Sequence, residues 1–436
     1  MKKLILSLCL VLLSYMKIGA QLVFTSCDSV FSYSKSRSIV QKNNALNYQQ
    51  AKAAKLAAIL SIPDVSGGLN FSYTNNTRLP VNLFPAENFG GQPGTYREIT
   101  TGIQYVSTFN ENLDIKLINL KGWDNVSLAK LNISLYAAEA KTQWKQLREN
   151  IAATYFNIVK LNEQLKTTRL NLTAADTILS ITTSKYLEGV ARKQEVNEAE
   201  VSKITSEENI RQINYLLKQQ YLALKILCDI KAEDSILITQ SITIQYEQYS
   251  AAVPDRISLQ NSQLKVQLAN LNYRQLKHSY YPTLSFFHAY NTQQNNNRAV
   301  FFDKTAKWIP SSYVGIKLTI PLPGSTLLSQ TAKAKFDYRI SRNNAEHQEL
   351  KSVQEAAQIN TDYEKYRSQT IADKRVQELS EDSYKRILTL YKEGLVPFQQ
   401  TINAYNSLVS GRYNYITSCI NLLYTQTKIN INNSEE

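Results

Sequence analysis

Residues able to do chemistry are few and scattered in this chain. Its three histidines, His278, His288 and His347, stand apart, and its four cysteines form no CxxC pair. No HExxH or paired-histidine spacing occurs, so no metal or cofactor is expected. The sequence also offers no nucleophile with a base and an orienting acid, which argues against an enzyme. His278 and His288 flank Pro282, where junction or strand placement explains them better than ligation, and His347 is alone in a helical stretch. Lys+Arg exceed Asp+Glu by 49 to 36, but they are interleaved with Glu, Gln and Asn. That pattern describes a solvated helix surface and excludes a nucleic-acid patch.

Position is more informative than residue type. The segment Tyr186-Leu187-Glu188-Gly189-Val190-Ala191 reappears as Tyr391-Lys392-Glu393-Gly394-Leu395-Val396, 205 positions later. Ala199 and Ala404 follow the two glycines by ten residues each. Ile62-Pro63 and Tyr281-Pro282 each end a helical pattern and open an alternating one, and Gly102-Ile103-Gln104-Tyr105 resembles Gly315-Ile316-Lys317-Leu318. Each half therefore reads helix, strand, loop, strand, very long helix, sharp turn, long helix, the signature of an internal duplication.

The elements that carry these motifs follow from periodicity. Leu69, Phe71 and Tyr73 alternate with polar neighbours, as do Leu284, Phe286, His288 and Tyr290, and Val314, Ile316, Leu318 and Ile320. Such half-polar runs predict strands at about 65–75, 97–108, 283–292 and 312–320, a length that suits a transmembrane barrel. The polar stretches Asn75–Tyr96 and Gln293–Ser311 would be outer loops. From Asn125 to Val253 there is no Pro and one Gly. Ile151, Ile158, Leu165, Leu172, Leu179 and Tyr186 recur every seven residues, as do Ile402, Val409, Ile416 and Leu423, and Val196, Ile210, Leu217 and Leu224 keep the seven-residue spacing after the first turn, with Lys203 breaking the apolar run. A seven-residue period predicts antiparallel coiled-coil hairpins that reverse at Gly189 and Gly394.

Residues 1–20 read as a secretory signal, with Lys2 and Lys3 before a short apolar run and Ala20 before the cut. Phe24-Thr25-Ser26 is a poor lipobox for Cys27, and Cys419 falls on the helical seam as core packing. The predicted organisation is a first repeat over 21–229, an inter-repeat segment over 230–254 with a small strand at Ile236–Tyr246, a second repeat over 255–429 and a disordered tail over 430–436. Four strands cannot close a barrel alone, so a membrane-spanning version needs sister copies.

On the duplicated plan, the two Tyr-x-x-Gly turns and the Pro63 and Pro282 junctions, the chain resembles the TolC-type outer-membrane efflux proteins. The resemblance covers about Ser29 to Ile429. It implies a mixed, mainly α fold and a homotrimer, with a twelve-stranded β-barrel in the cell outer membrane continued by a coiled-coil α-barrel through the periplasm. It also implies a passive export duct for a tripartite pump or type I secretion system. The partners would be a periplasmic adaptor (membrane fusion) protein, an inner-membrane pump or ABC exporter, and outer-membrane lipid. The adaptor-docking tips would be Gly189, Val190, Ala191, Gly394, Leu395 and Val396. The family's acidic gate ring falls on Gln400 and Asn403, both neutral here, and its latch acid on Glu195, expected to hydrogen-bond Tyr391. The usual arginine partner is replaced by Val396. The rival reading is a trimeric surface adhesin or receptor with a coiled-coil stalk, which would carry one heptad array per chain.

Overall fold

A computed structural model describes residues 21–240, 242, 250–299 and 307–434. Residues 1–20, expected to be a signal segment, lie outside the described residues, as does most of the expected Ile236–Tyr246 strand beyond Ile238.

The chain opens with β1 (Gln21–Phe24), α1 (Cys27–Arg37) and α2 (Ile39–Leu60). The first half continues with β2 (Asp64–Asn75), β3 (Val81–Pro85), β4 (Tyr96–Thr100), β5 (Tyr105–Ile118), α3 (Leu120–Leu187) and α4 (Lys193–Leu227). After β6 (Ser235–Ile238), the second half supplies α5 (Arg256–His278), β7 (Thr283–Asn296), β8 (Trp308–Thr319), α6 (Ser325–Lys392) and α7 (Phe398–Asn433). Duplication is visible in the helix lengths, 68 and 35 residues in one half against 68 and 36 in the other. Two compact units result. One combines residues up to Tyr48 with Leu135–Gln263 and the stretch from Asn343 onward, and the other combines Gln49–Ser134 with Leu264–Arg342.

The second unit holds an antiparallel sheet in the order β2-β5-β7-β8. Because side chains alternate along a strand, the register sorts every residue onto one of two faces. Val65, Leu69, Phe71, Leu113, Phe286 and Ile316 share an apolar face. Ser66, Asn70, Ser72, Asn110, Asn291 and Ser311 share a polar one, where a hollow of about 510 Å³ opens. Glu111 and His288 also fall on the apolar face. Tyr73 stacks on Tyr105 near the far end of that face. Among the described residues, β2 and β8 each keep one unpaired edge.

Three sequence expectations need correction here. The strand expected at 97–108 is two elements. Tyr96–Thr100 pairs with β3 in a separate hairpin, and the sheet strand is Tyr105–Ile118. Asn110, Glu111 and Asn112 in a row had hidden its alternation. The Gly102 and Gly315 motifs accordingly do not correspond. Gly102 has φ +115° before β5, whereas Gly315 lies within β8, where a Cβ would come within 2.7 Å of the Phe287 ring. The tail expected to be disordered is helical to Asn433, with Ile429 and Ile431 buried. Residues 435–436 lie outside the described part.

The first unit is built on the long helices. Its main core gathers Ile151, Tyr155, Ile158 and Val159 of α3 with Leu224 of α4 and Val30 of α1. β1 pairs in parallel with β6 and closes this core. Cys27 is 6% exposed inside it, and burial pushes its thiol upward while Cys228 is pushed up to about 12. Both sulfurs are therefore inert packing groups. Cys419 is likewise buried, its thiol pushed up to about 11 by burial.

Candidate docking tips and the polar zipper beside them

Both reversals are the same piece of backbone. At the first, Gly189 donates its N–H to Tyr186 O (3.0 Å) and Val190 to Lys185 O (2.8 Å). At the second, Gly394 donates to Tyr391 O (3.0 Å) and Leu395 to Leu390 O (2.9 Å). These paired bonds are the Schellman cap, which satisfies the last helical carbonyls provided one residue adopts a left-handed conformation. Gly189 and Gly394 take that conformation, with φ of +76° and +79°. A Cβ there would be strained whatever space surrounds it.

The returning helices start differently. Glu195 reaches back so that its carboxylate accepts from the Arg192 N–H at 3.4 Å. In the second hairpin Pro397 stands immediately before α7, where a missing N–H costs nothing. The proposed docking residues are largely outside the packing. Val190 and Leu395 are 70% and 68% exposed, both glycines are exposed, and Ala191 and Val396 are half-buried. Gln400 and Asn403 are both exposed, and Asn403 accepts from Gln399 at 3.2 Å on its own helix.

The expected Glu195–Tyr391 hydrogen bond does not form. The Tyr391 hydroxyl instead pairs with Thr182 Oγ1 at 3.1 Å, and Glu195 is occupied by its own helix start. Tyr391 is 4% exposed, and the Lys185 ammonium lies 5.2 Å from its ring centroid. Burial raises its phenol above the ordinary value, partly offset by the Thr182 bond. The equivalent Tyr186 is 41% exposed, so the heptad read through Ile151 and Ile158 loses its burial before the tip. The seam there runs instead through Thr168, Ala175 and Thr182, interleaved with Asn171 and Ile178, all buried. On α7 the half-buried Ile402, Val409 and Leu423 flank a buried line through Thr401, Leu408, Leu422 and Ile429.

Thr182–Tyr391 is one rung of a longer zipper between the two hairpins. The Tyr413 hydroxyl meets Thr168 Oγ1 at 2.6 Å, and Arg412 donates to Asn171 Oδ1 at 2.9 Å. Tyr405 donates to Asn171 O at 3.3 Å and its hydroxyl lies 3.1 Å from Ser206 Oγ. Tyr384 donates to Ala174 O at 3.4 Å, and burial pushes its phenol up to about 12. Sequence reasoning missed these rungs, because Thr168 and Thr182 meet partners more than 200 residues away. Each hydrogen bond between uncharged groups contributes about 1 kcal/mol net. Among the described residues two buried polar atoms, Asn171 Nδ2 and Thr401 Oγ1, have no partner, so the seam holds without being fully satisfied. The arrangement ties two hairpins together through separate single contacts.

No protein-family profile matches this chain. Among characterised proteins it is 20% identical to the toxin and drug export protein A of Aggregatibacter actinomycetemcomitans, over 77% of this chain and 76% of that one. Its fold matches that of VceC, an outer membrane protein of Vibrio cholerae, with TM-score 0.74 and 14% identity over 93% of this chain and 95% of that one. It matches CusC, described in connection with transmembrane channel formation, with TM-score 0.73 and 15% identity over 95% and 94% of the two chains.

Proposed function

We propose that this chain, which has the fold of the TolC-type outer-membrane efflux proteins, is the passive exit duct of an export machine. The observation that carries the reading is the sheet with one mainly apolar face, one mainly polar face and, among the described residues, two unpaired edges. An isolated open sheet of this kind exposes backbone groups that hydrocarbon cannot satisfy, and sister copies remove both edges. Three copies would give the twelve strands of the family's barrel, with the apolar face toward outer-membrane lipid and the polar face lining the passage. The exposed Phe336, Ile340, Leu350 and Val353 of α6 supply further apolar surface for neighbouring copies to cover. The expected repeats 21–229 and 255–429 and the segment 230–254 remain part of this reading.

In it, the tips around Gly189 and Gly394 dock a periplasmic adaptor, which links the duct to an inner-membrane pump or ABC exporter. Energy enters through that partner, so the chain itself has no catalytic task. Docking opens the duct by favouring one of two arrangements of the hairpins. The zipper of single hydrogen bonds, with two orphaned polar atoms, suits a seam meant to be parted. Glu195 acts as a helix-start acid and Tyr391 as the anchor of the second tip. Neutral Gln400 and Asn403 replace the acidic ring.

Purified full-length protein in planar lipid bilayers tests the reading. Discrete single-channel conductance and a trimeric mass in detergent are expected. A natively folded monomer without conductance would refute it, and an adhesin stalk would give oligomers without current.

A further inference from the structure

Four charged side chains occur on the sheet's polar face, and all four lie toward its helix-joined end. Lys116 of β5 meets Asp64 of β2 at 2.5 Å, and Asn119 also donates to Asp64 at 3.2 Å. Lys317 of β8 reaches across β7 to Asp114 of β5, also at 2.5 Å. Ser285 is the β7 residue that lies between Lys116 and Lys317 in the register. The result is a belt crossing all four strands, with two anions, two cations and zero net charge. Beyond it the same face carries amides and hydroxyls, including Asn70, Ser72, Thr108, Asn110, Asn291 and Gln293.

We infer that this belt sets the charge tolerance of the passage: its cancelling pairs let cargo of either sign through the strand-walled part of the duct. The inference rests on the proposed duct and adds its selectivity. A water-filled channel between low-dielectric walls focuses the field of any uncompensated charge. A surplus of either sign would therefore select counter-charged solutes, and repeating the surplus in each copy would strengthen it. Pairing prevents this while keeping the wall hydrated. The two lysine side chains are 37% and 52% exposed and the two aspartates 33% and 25%, so the pairs face solvent. Their pairing does little for stability at such exposure.

Reversal potentials of the reconstituted full-length protein between unequal KCl solutions test the belt. Wild type is expected to show a weak preference between K⁺ and Cl⁻. Lys317→Gln frees Asp114 and should shift the permeability ratio toward K⁺ by about threefold, and Lys116→Gln should shift it the same way. Asp114→Asn should shift the ratio toward Cl⁻, and the double variant Asp114→Asn/Lys317→Gln should return to the wild-type value. A purely structural role for these residues would not produce opposite shifts that cancel. Conductance with the wild-type reversal potential in every variant, or shifts of one sign throughout, would overturn the belt and leave the duct standing. Absence of conductance in wild type would overturn the duct reading itself.

Discussion

The two helical tips share a backbone and differ in what holds them. Gly189 and Gly394 have φ angles within a few degrees of one another and identical pairs of capping bonds. Three residues before each glycine, however, Tyr391 is buried and bonded to Thr182, while Tyr186 is 41% exposed. Duplication has preserved the turn and let the anchoring diverge. Backbone geometry at these positions answers to the local requirement for a left-handed residue. Anchoring answers to whatever side chain the opposing hairpin presents. One tip is consequently gripped by the other, and the grip runs mainly from the second hairpin into the first.

Replacing Gly394 tests this difference most severely. Gly394→Pro removes the N–H bonded to Tyr391 O and demands a φ near −65°, a local cost of about 3 kcal/mol or more. Export should be lost while oligomers persist on gels, and Gly189→Pro should reduce export less because the Tyr391 anchor survives. Full export by Gly394→Pro would remove the docking role of the second tip.

Alkali should loosen the gripped region next. Tyr391, Tyr384 and Tyr405 all have phenols raised by burial, so the folded state holds these protons more tightly than the unfolded chain. Their contribution is complete below the ordinary phenol value near 10 and declines as pH climbs beyond it. Denaturant midpoints measured from pH 9 upward should fall in wild type and fall less in a Tyr384→Phe/Tyr391→Phe variant. An equal decline in both would mean that these phenols do not sense the seam.

Smaller effects separate the tips individually. Tyr391→Phe should cost about 1 kcal/mol in unfolding free energy, because Thr182 keeps its bond to Ile178 O at 2.8 Å. Tyr186→Phe should cost almost nothing, and equal losses would erase the asymmetry. Gln400→Asp should make the conductance more sensitive to block by divalent cations; an unchanged response would mean that this side chain does not border the passage.

The helical half of the fold was open to reading because its code is long and repetitive. A heptad sustained over dozens of residues without Pro or Gly has one physical solution, and the glycine interrupting it has one conformation. Ala199 and Ala404, matched by position alone, both lie buried in the core beside the tips. The sheet was harder to read. In β5 the apolar-facing series contains Glu111, and the neighbouring Asn110 and Asn112 are also polar, so two-residue periodicity faded where the strand is longest. The zipper could not be read at all: Thr182 finds Tyr391 209 residues away, and a lone threonine in a helix announces no partner. Glu195 shows the opposite error. Its type suited a latch, but the backbone N–H of Arg192, three residues earlier, satisfied it first.

Finally, the parallel ladder that sets Gln21 beside Ser235 and Phe24 beside Ile238 constrains how the polypeptide matures. An early segment must wait unmatched until more than half of the molecule has been synthesised, because its partner strand Ser235–Ile238 does not yet exist. The core face that β1 and β6 close is therefore completed late, whatever the long helices do first.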